Sequence, residues 1–205
     1  MGLNRSRPID QLQLLPSARV ITKPVGINLG FAVVDFVPYD PATHKSDFFT
    51  LNVEYISWDA EMMLEIHNVD LASLLDVTAE GYAKGLLDHY GSLRPPEGIV
   101  YLLQIEGKVE GMGALHRLES DVAEIKRMYI RQKHRGKGFG KKMLRKLVEK
   151  AREFGYSAIR LDTGDYMKAA HQIYRSEGFK EIERYPGCET PEPFLPHSIF
   201  MEKKL

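Results

Sequence analysis

One cysteine, Cys188, stands among 205 residues, so no internal disulfide framework holds this fold and a reducing compartment is expected. Net charge is missing too: 28 Lys and Arg offset 28 Asp and Glu. A global field that recruits nucleic acid or an anionic membrane is thereby excluded. No apolar run approaches the roughly 18 residues of a membrane span, and Met1 to Pro8 adjoins no apolar segment of the secretory kind. Internal repeats and low-complexity tracts are absent, as is any histidine and carboxylate spacing of a metal site. A nucleophilic triad finds no support, because Cys188 has only Glu189 beside it. The expectation is a cytoplasmic chain with no membrane partner, no nucleic acid and no metal.

What is present fits one domain with an extension, long enough to bury about 70% of its unfolded surface. Residues 1–49 carry scattered prolines around a strand-like stretch, Ile27 to Val37. They read as an N-terminal arm that packs on the domain or on a second subunit, which leaves a homodimer open. Residues 50–205 read as the domain. Leu51 to Ser57 alternates like a first core strand, and Asp59 is placed as the N-cap of a short helix whose Met62, Met63 and Ile66 enter the core. Leu71 to Tyr90 is helical in composition but interrupted by Gly81 and Gly85, so one helix or two remain open.

Ile99 to Ile105, the turn Glu106-Gly107, Val109 to Arg117 and Ala123 to Arg131 form an antiparallel meander. From Gly138 the residues Phe139, Met143, Leu144, Leu147, Val148, Ala151 and Phe154 recur at three and four. That stripe predicts a helix about 25 Å long, ended by Gly155. Ser157 to Thr163 is then a strand reached by helical crossover, parallel to the one before it. A helix over Ala169 to Glu177 and strands at Lys180 to Arg184 and Ile199 to Lys203 close the chain. The fold class is α/β, in the α+β sense: a mixed central sheet with helices on both faces.

Chemistry concentrates at Arg135-Gly136-Lys137-Gly138-Phe139-Gly140-Lys141, which joins a strand to that amphipathic helix. Alternate glycines let backbone amides approach a ligand, and the helix N-terminus adds partial positive charge at the same place. A diphosphate is the natural guest. The spacing is not Walker A, since Lys142 stands where Ser or Thr is needed, and position 141 lacks the third glycine of a dinucleotide fingerprint. From Lys126 to Arg152 twelve Lys and Arg face Glu149 alone, either as a solvated helix face or as an attractor of a polyanion.

Arg135, Gly138 and Gly140, read as Arg-x-x-Gly-x-Gly, resemble the acetyl-CoA pyrophosphate loop of the GNAT N-acetyltransferases. A second block is similar to a later motif of that family: Leu161-Asp162-Thr163-Gly164, then Ala169 to Phe179 with Tyr174 and Gly178-Phe179. The resemblance extends from about Leu51 to Leu205. It implies a sheet splayed between two parallel strands, and acetyl-CoA as co-substrate. It also implies direct transfer of the acetyl group, in a ternary complex, to a primary amine of a small molecule or peptide.

By the same resemblance, backbone groups of Met128, Tyr129 and Ile130 bond the cofactor's arm, and Arg135, Gly136, Lys137, Gly138, Phe139, Gly140 and Lys141 hold its pyrophosphate. Tyr174 protonates the departing thiolate. Glu124 is the base, or equally an ion-pair partner of Lys126, with His116 and His171 as alternatives. Thr163-Gly164-Asp165 departs from the asparagine many members place there. Acceptor contacts are expected from Val69 to Arg94 and from Tyr185 to His197. Tyr185, Glu189, Glu192 and Phe194 there suit a cationic amine or a plain surface loop. A catalytically weak acyl-CoA-binding regulatory module is the alternative function.

Overall fold

The computed structural model describes residues 33–205. Most of the expected N-terminal arm, residues 1–32, lies outside the described residues, but the end of its strand-like stretch is β1 (Val34–Pro38), paired antiparallel with β2 (Gly98–Ile105). The seven strands run β1-β2-β3-β4-β5-β7-β6, with β3 (Lys108–Arg117), β4 (Val122–Ile130), β5 (Ala158–Gly164), β6 (Lys180–Ile182) and β7 (Ser198–Lys204). Among the described residues only β4 and β5 pair in parallel, and the other neighbours are antiparallel. Glu106 and Gly107 both have positive φ, 51° and 75°, the twist that a two-residue hairpin needs between β2 and β3.

Side chains of β2 alternate between two cores, which is how the sheet carries helices on both faces. Tyr101, Leu103 and Ile105 join the core of α4 (Phe139–Glu153), where Met143, Leu144, Leu147, Val148 and Ala151 are buried as the sequence stripe predicted. Each such large side chain contributes about 1.5–3 kcal/mol on burial. Val100 and Leu102 join the opposite core with Phe48, Leu51 and Tyr90.

That opposite core corrects the reading of Leu51 to Ser57. These residues are not a strand but the middle of α1, a 27-residue helix from Pro41 to His67. Its N-cap is Asp40, whose side chain accepts from the Ala42 amide at 2.9 Å, with Pro41 in the first turn. Asp59 is therefore no cap, and of the three apolar residues assigned to its helix only Met63 is fully buried, while Ile66 is exposed. The expected division between residues 49 and 50 falls inside this helix. Leu71 to Tyr90 resolves into two helices, α2 (Leu71–Leu75) and α3 (Ala79–Ser92), the second capped by Thr78 onto the Gly81 amide at 3.1 Å.

The helix α5 (Lys168–Ser176) is clasped to the start of α4 through Glu177. Its carboxylate takes Lys141 at 2.9 Å and the Nη2 and Nε of Arg145 at 2.9 and 3.0 Å. Hydrogen bonds from Arg145 and Lys141 hold it down at about 2. A carboxyl depressed on folding contributes stability above its ordinary range and loses it as pH falls through the folded value. Glu177→Gln is expected to lower urea stability at pH 7, with the gap to wild type closing between about pH 4.5 and pH 2. A gap independent of pH would remove the ion pairs as its cause.

Candidate active site

β4 and β5 stay together for three residue pairs, Val122 with Ala158, Ala123 with Ile159 and Glu124 with Arg160. Both strands continue, to Ile130 and Gly164, so beyond Glu124 their facing edges stand open. The divergence has a local cause. The β3–β4 register slips between Met112 and Ala114, opposite Arg127 and Met128, and Arg127 takes a φ of 56°. Such a bulge adds a residue to one strand and bends it. A cavity of about 300 Å³ occupies the wedge, lined by β4 from Ile125 to Met128 and by β5 from Asp162 to Gly164. Tyr55 and Asp59 of α1, Tyr166, and Tyr174 of α5 line it too. The bulge shifts the register by one residue, so that Ile130 rather than Tyr129 pairs with Gly111; Met128 faces the cavity while Tyr129 and Ile130 are buried away from it.

The glycine loop begins just after β4. Gly136 and Gly138 have φ of 77° and 80°, the left-handed region that disfavours side chains, and a Cβ on either would project into open space. Gly138 is the N-cap of α4 and supplies no side-chain hydrogen bond, so the amides of the first turn lack protein acceptors from the cap. Open space beside glycines, with unclaimed amides on a helix N-terminus, fits a phosphate group. Arg135 turns back: its Nε donates to the Ile130 carbonyl at 2.9 Å, and its guanidinium lies 4.9 Å from the Trp58 ring and 5.6 Å from Tyr129. Lys141 is engaged by Glu177 and by Ser176 at 3.2 Å, while Lys137 is exposed.

The basic stretch is less free than its composition implies. Lys126, Arg131, Lys133, Lys141, Arg145 and Lys150 all sit in ion pairs. Arg131 makes a bidentate pair with Glu54 at 2.7 and 2.8 Å, fastening α1 to the end of β4.

Glu124 lies fully buried beneath the wedge and is not among the residues lining the cavity. Its Oε1 accepts from the Tyr185 hydroxyl at 2.6 Å and stands 3.2 Å from Lys126, and its Oε2 lies 2.9 Å from His116 Nε2. Both routes weighed for Glu124 and His116 thus meet in one closed cluster. Lys126 lines the cavity and bonds Asp162 at 2.5 Å. Burial pulls its ammonium down, but Asp162 and Glu124 outweigh that and hold it above the ordinary range. His171 is buried with Nε2 at 2.9 Å from the Gly164 carbonyl, and burial lowers its pKa. A neutral ring donating to that carbonyl ties α5 to the end of β5.

Asp59 and Tyr174 also face the cavity. Asp59 takes the Tyr166 hydroxyl, yet burial raises its carboxyl to about 6, ahead of the opposing effects of Tyr166 and Arg127. Tyr174 is buried, packs its ring 5.9 Å from Phe179, and has its phenol pushed up by burial and then by Asp162. Asp59 was legible only as a cap, because the part of the helix before it, Leu51 to Ser57, reads as a strand.

Of the expected acceptor segments, Leu71, Val77 to Ala79 and Tyr82 line the cavity, as do Glu189 and Phe194. Tyr185 is instead a buried partner of Glu124, and Glu192 is 86% exposed. Cys188 Sγ pairs with Thr190 Oγ1 at 2.9 Å, outside the lining.

Comparison with known proteins agrees with this geometry. The family model described as "Acetyltransferase (GNAT) family" matches residues 60–179. The chain is 37% identical over 116 residues to an uncharacterized N-acetyltransferase, YsnE, of Bacillus subtilis, covering 55% of this chain and 74% of that protein. To the uncharacterized N-acetyltransferase YjgM of Escherichia coli it is 35% identical over 45% of its length, and it spans only 58% of that relative. A GNAT family acetyltransferase from Elizabethkingia anophelis, solved with acetyl-CoA bound, superposes with a TM-score of 0.55 at 17% identity, covering 84% of this chain and 98% of that one. With the splayed β4–β5 pair, the glycine loop at the head of α4 and the family match over more than half its length, this chain belongs to the GNAT acetyltransferase family.

Proposed function

We propose that the chain, as one domain from residue 34 to 205, transfers an acetyl group from acetyl-CoA to a primary amine, directly and in a ternary complex. The observation that carries this is the open wedge between β4 and β5, with the glycine loop at its end and Tyr174 and Asp59 on its walls. Backbone amides from Gly136 to Lys141 hold the pyrophosphate, and Arg135 and Lys137 stay close to the same loop. The open edge of β4 from Met128 to Ile130 supplies backbone groups to the pantetheine arm. Acetyl-CoA supplies an activated thioester. Direct transfer is favoured because Cys188, the only cysteine of the sequence, lies outside the cavity lining.

Asp59 takes the amine's proton in this reading, since it faces the cavity and its carboxyl near 6 is ionised at neutral pH yet still basic. Tyr174 gives its hydroxyl proton to the leaving thiolate. Glu124 is a positioning residue that holds Lys126 and, through it, Asp162 at the mouth of the wedge. Calorimetry with acetyl-CoA, followed by thiol release over a panel of amines, tests the whole. Intersecting initial-velocity lines are expected, and parallel lines would indicate an acyl-enzyme. Binding without thiol release on any amine would leave a regulatory acyl-CoA module.

The pH profile separates the two carboxylates. Below about 6 Asp59 is protonated and cannot accept a proton, so kcat/KM is expected to fall there, and Asp59→Asn should erase that limb. Glu124→Gln should lower stability and spare the limb. If Glu124→Gln instead abolishes the limb, the base is Glu124 and reaches the amine through water.

A further inference from the structure

Arg127 is a cavity cation that no ion pair among the described residues engages, although Asp59 stands near enough to feel its charge. Its Nε is buried with no hydrogen-bond partner, and none of the ion pairs among the described residues includes it. The guanidinium carbon lies 5.6, 5.9 and 6.0 Å from the rings of Tyr82, Tyr90 and Tyr55. Tyr90 takes one hydrogen bond from the guanidinium and the ring faces attract the cation, but neither matches its in-plane N–H fork as a carboxylate does. The backbone is committed to this placement, because Arg127 holds a φ of 56°, a region that long side chains seldom adopt.

The other charges of the cavity are already accounted for. Lys126 is matched by Asp162 at 2.5 Å and Glu124 at 3.2 Å. Asp59 is held by Tyr166, and Glu189 stands exposed at the rim. A purely cationic acceptor, which the charge of the loop near Glu189 would suit, would leave the half-buried Arg127 without an ion pair beside a second positive charge. An acceptor with both an amine and a carboxylate would satisfy Asp59 and Arg127 together.

We propose that Arg127 receives a carboxylate of the acceptor, so that the amine substrate is an amino acid or another small amine bearing a carboxylate. This rests on the acetyltransferase reading given above. The site is the wall of the wedge formed by the β4 bulge, Tyr55 of α1 and Tyr82 and Tyr90 of α3.

The test compares matched probes with the full chain: the amino acids, their carboxamides and the corresponding decarboxylated amines, each with saturating acetyl-CoA. The acids are expected to show kcat/KM roughly 10- to 100-fold above their carboxamides, the loss that follows from leaving a buried charge unpaired. The preference runs against intrinsic reactivity, since the carboxamide's amine is less basic and more often neutral. Arg127→Gln should remove the preference by raising KM for the acids, with acetyl-CoA affinity unchanged, and Arg127→Lys should restore part of it. Calorimetry with acetyl-CoA serves as the control for folding and for the acetyltransferase reading itself. Failure of wild type to bind acetyl-CoA overturns that reading, and this inference with it. Binding of acetyl-CoA with turnover of uncharged amines at equal or greater efficiency, or with no turnover of any carboxylated amine, overturns the assignment of Arg127 alone.

Discussion

Gly138→Val is expected to weaken acetyl-CoA binding by roughly 10²-fold or more while leaving a folded protein, because two effects fall on one atom. At φ 80° the residue occupies the left-handed region, where a β-branched side chain is strained by about 1–2 kcal/mol. That is a modest fraction of a domain's stability. The same Cβ projects into open space at the N-terminus of α4, where the proposed pyrophosphate sits against unclaimed amides. The branched side chain then occupies the ligand's place, and several charge-assisted hydrogen bonds are lost at once. Calorimetry on the variant, with circular dichroism as the folding control, checks it. Wild-type affinity in a folded variant would move the phosphate site elsewhere.

Tyr174→Phe should leave acetyl-CoA affinity nearly unchanged and lower turnover by roughly 10² to 10⁴. Burial, followed by the nearby Asp162, keeps the phenol above its ordinary pKa of 10, so it is protonated throughout the working range and ready to donate. The ring's packing against Phe179 survives the substitution, so the deletion removes a proton and little else. Single-turnover kinetics read the chemical step directly. Unchanged turnover, with that step shown to limit the rate, would reduce Tyr174 to a packing residue and leave thiolate protonation to solvent.

Local sequence was a good guide wherever one period and one punctuation mark coincided. The stripe is buried from Met143 to Ala151 and half-buried at its ends, Phe139 and Phe154, where three-and-four spacing placed it, and Gly155 ends the helix with φ 86°. Glu106-Gly107 turns the hairpin as its composition requires. Leu51 to Ser57 misled because its alternation also satisfies a helix whose buried residues are Phe48, Leu51, Asn52 and Met63. Period two and period 3.6 overlap across seven residues, and the deciding cap, Asp40-Pro41, lay in a segment read as an arm.

The site divides in the same way. The glycine loop and the parallel crossover were determined by the sequence alone, because glycine spacing, helix start and strand order are local or nearly local properties. Which carboxylate meets the cavity was decided by the tertiary structure. Glu124 is sealed in by its near neighbours His116 and Lys126 and by Tyr185, 61 residues along the chain, while Asp59 is carried to the wedge by a helix packed across the sheet. Half of the cations in the basic stretch are likewise paired, with acids as remote as Glu54 and Glu177. Arg127 kept its own charge through a single-residue bulge that turns it toward three tyrosines. Burial and counter-charge depend on what long-range packing brings within a few ångströms, and no linear pattern encodes that distance.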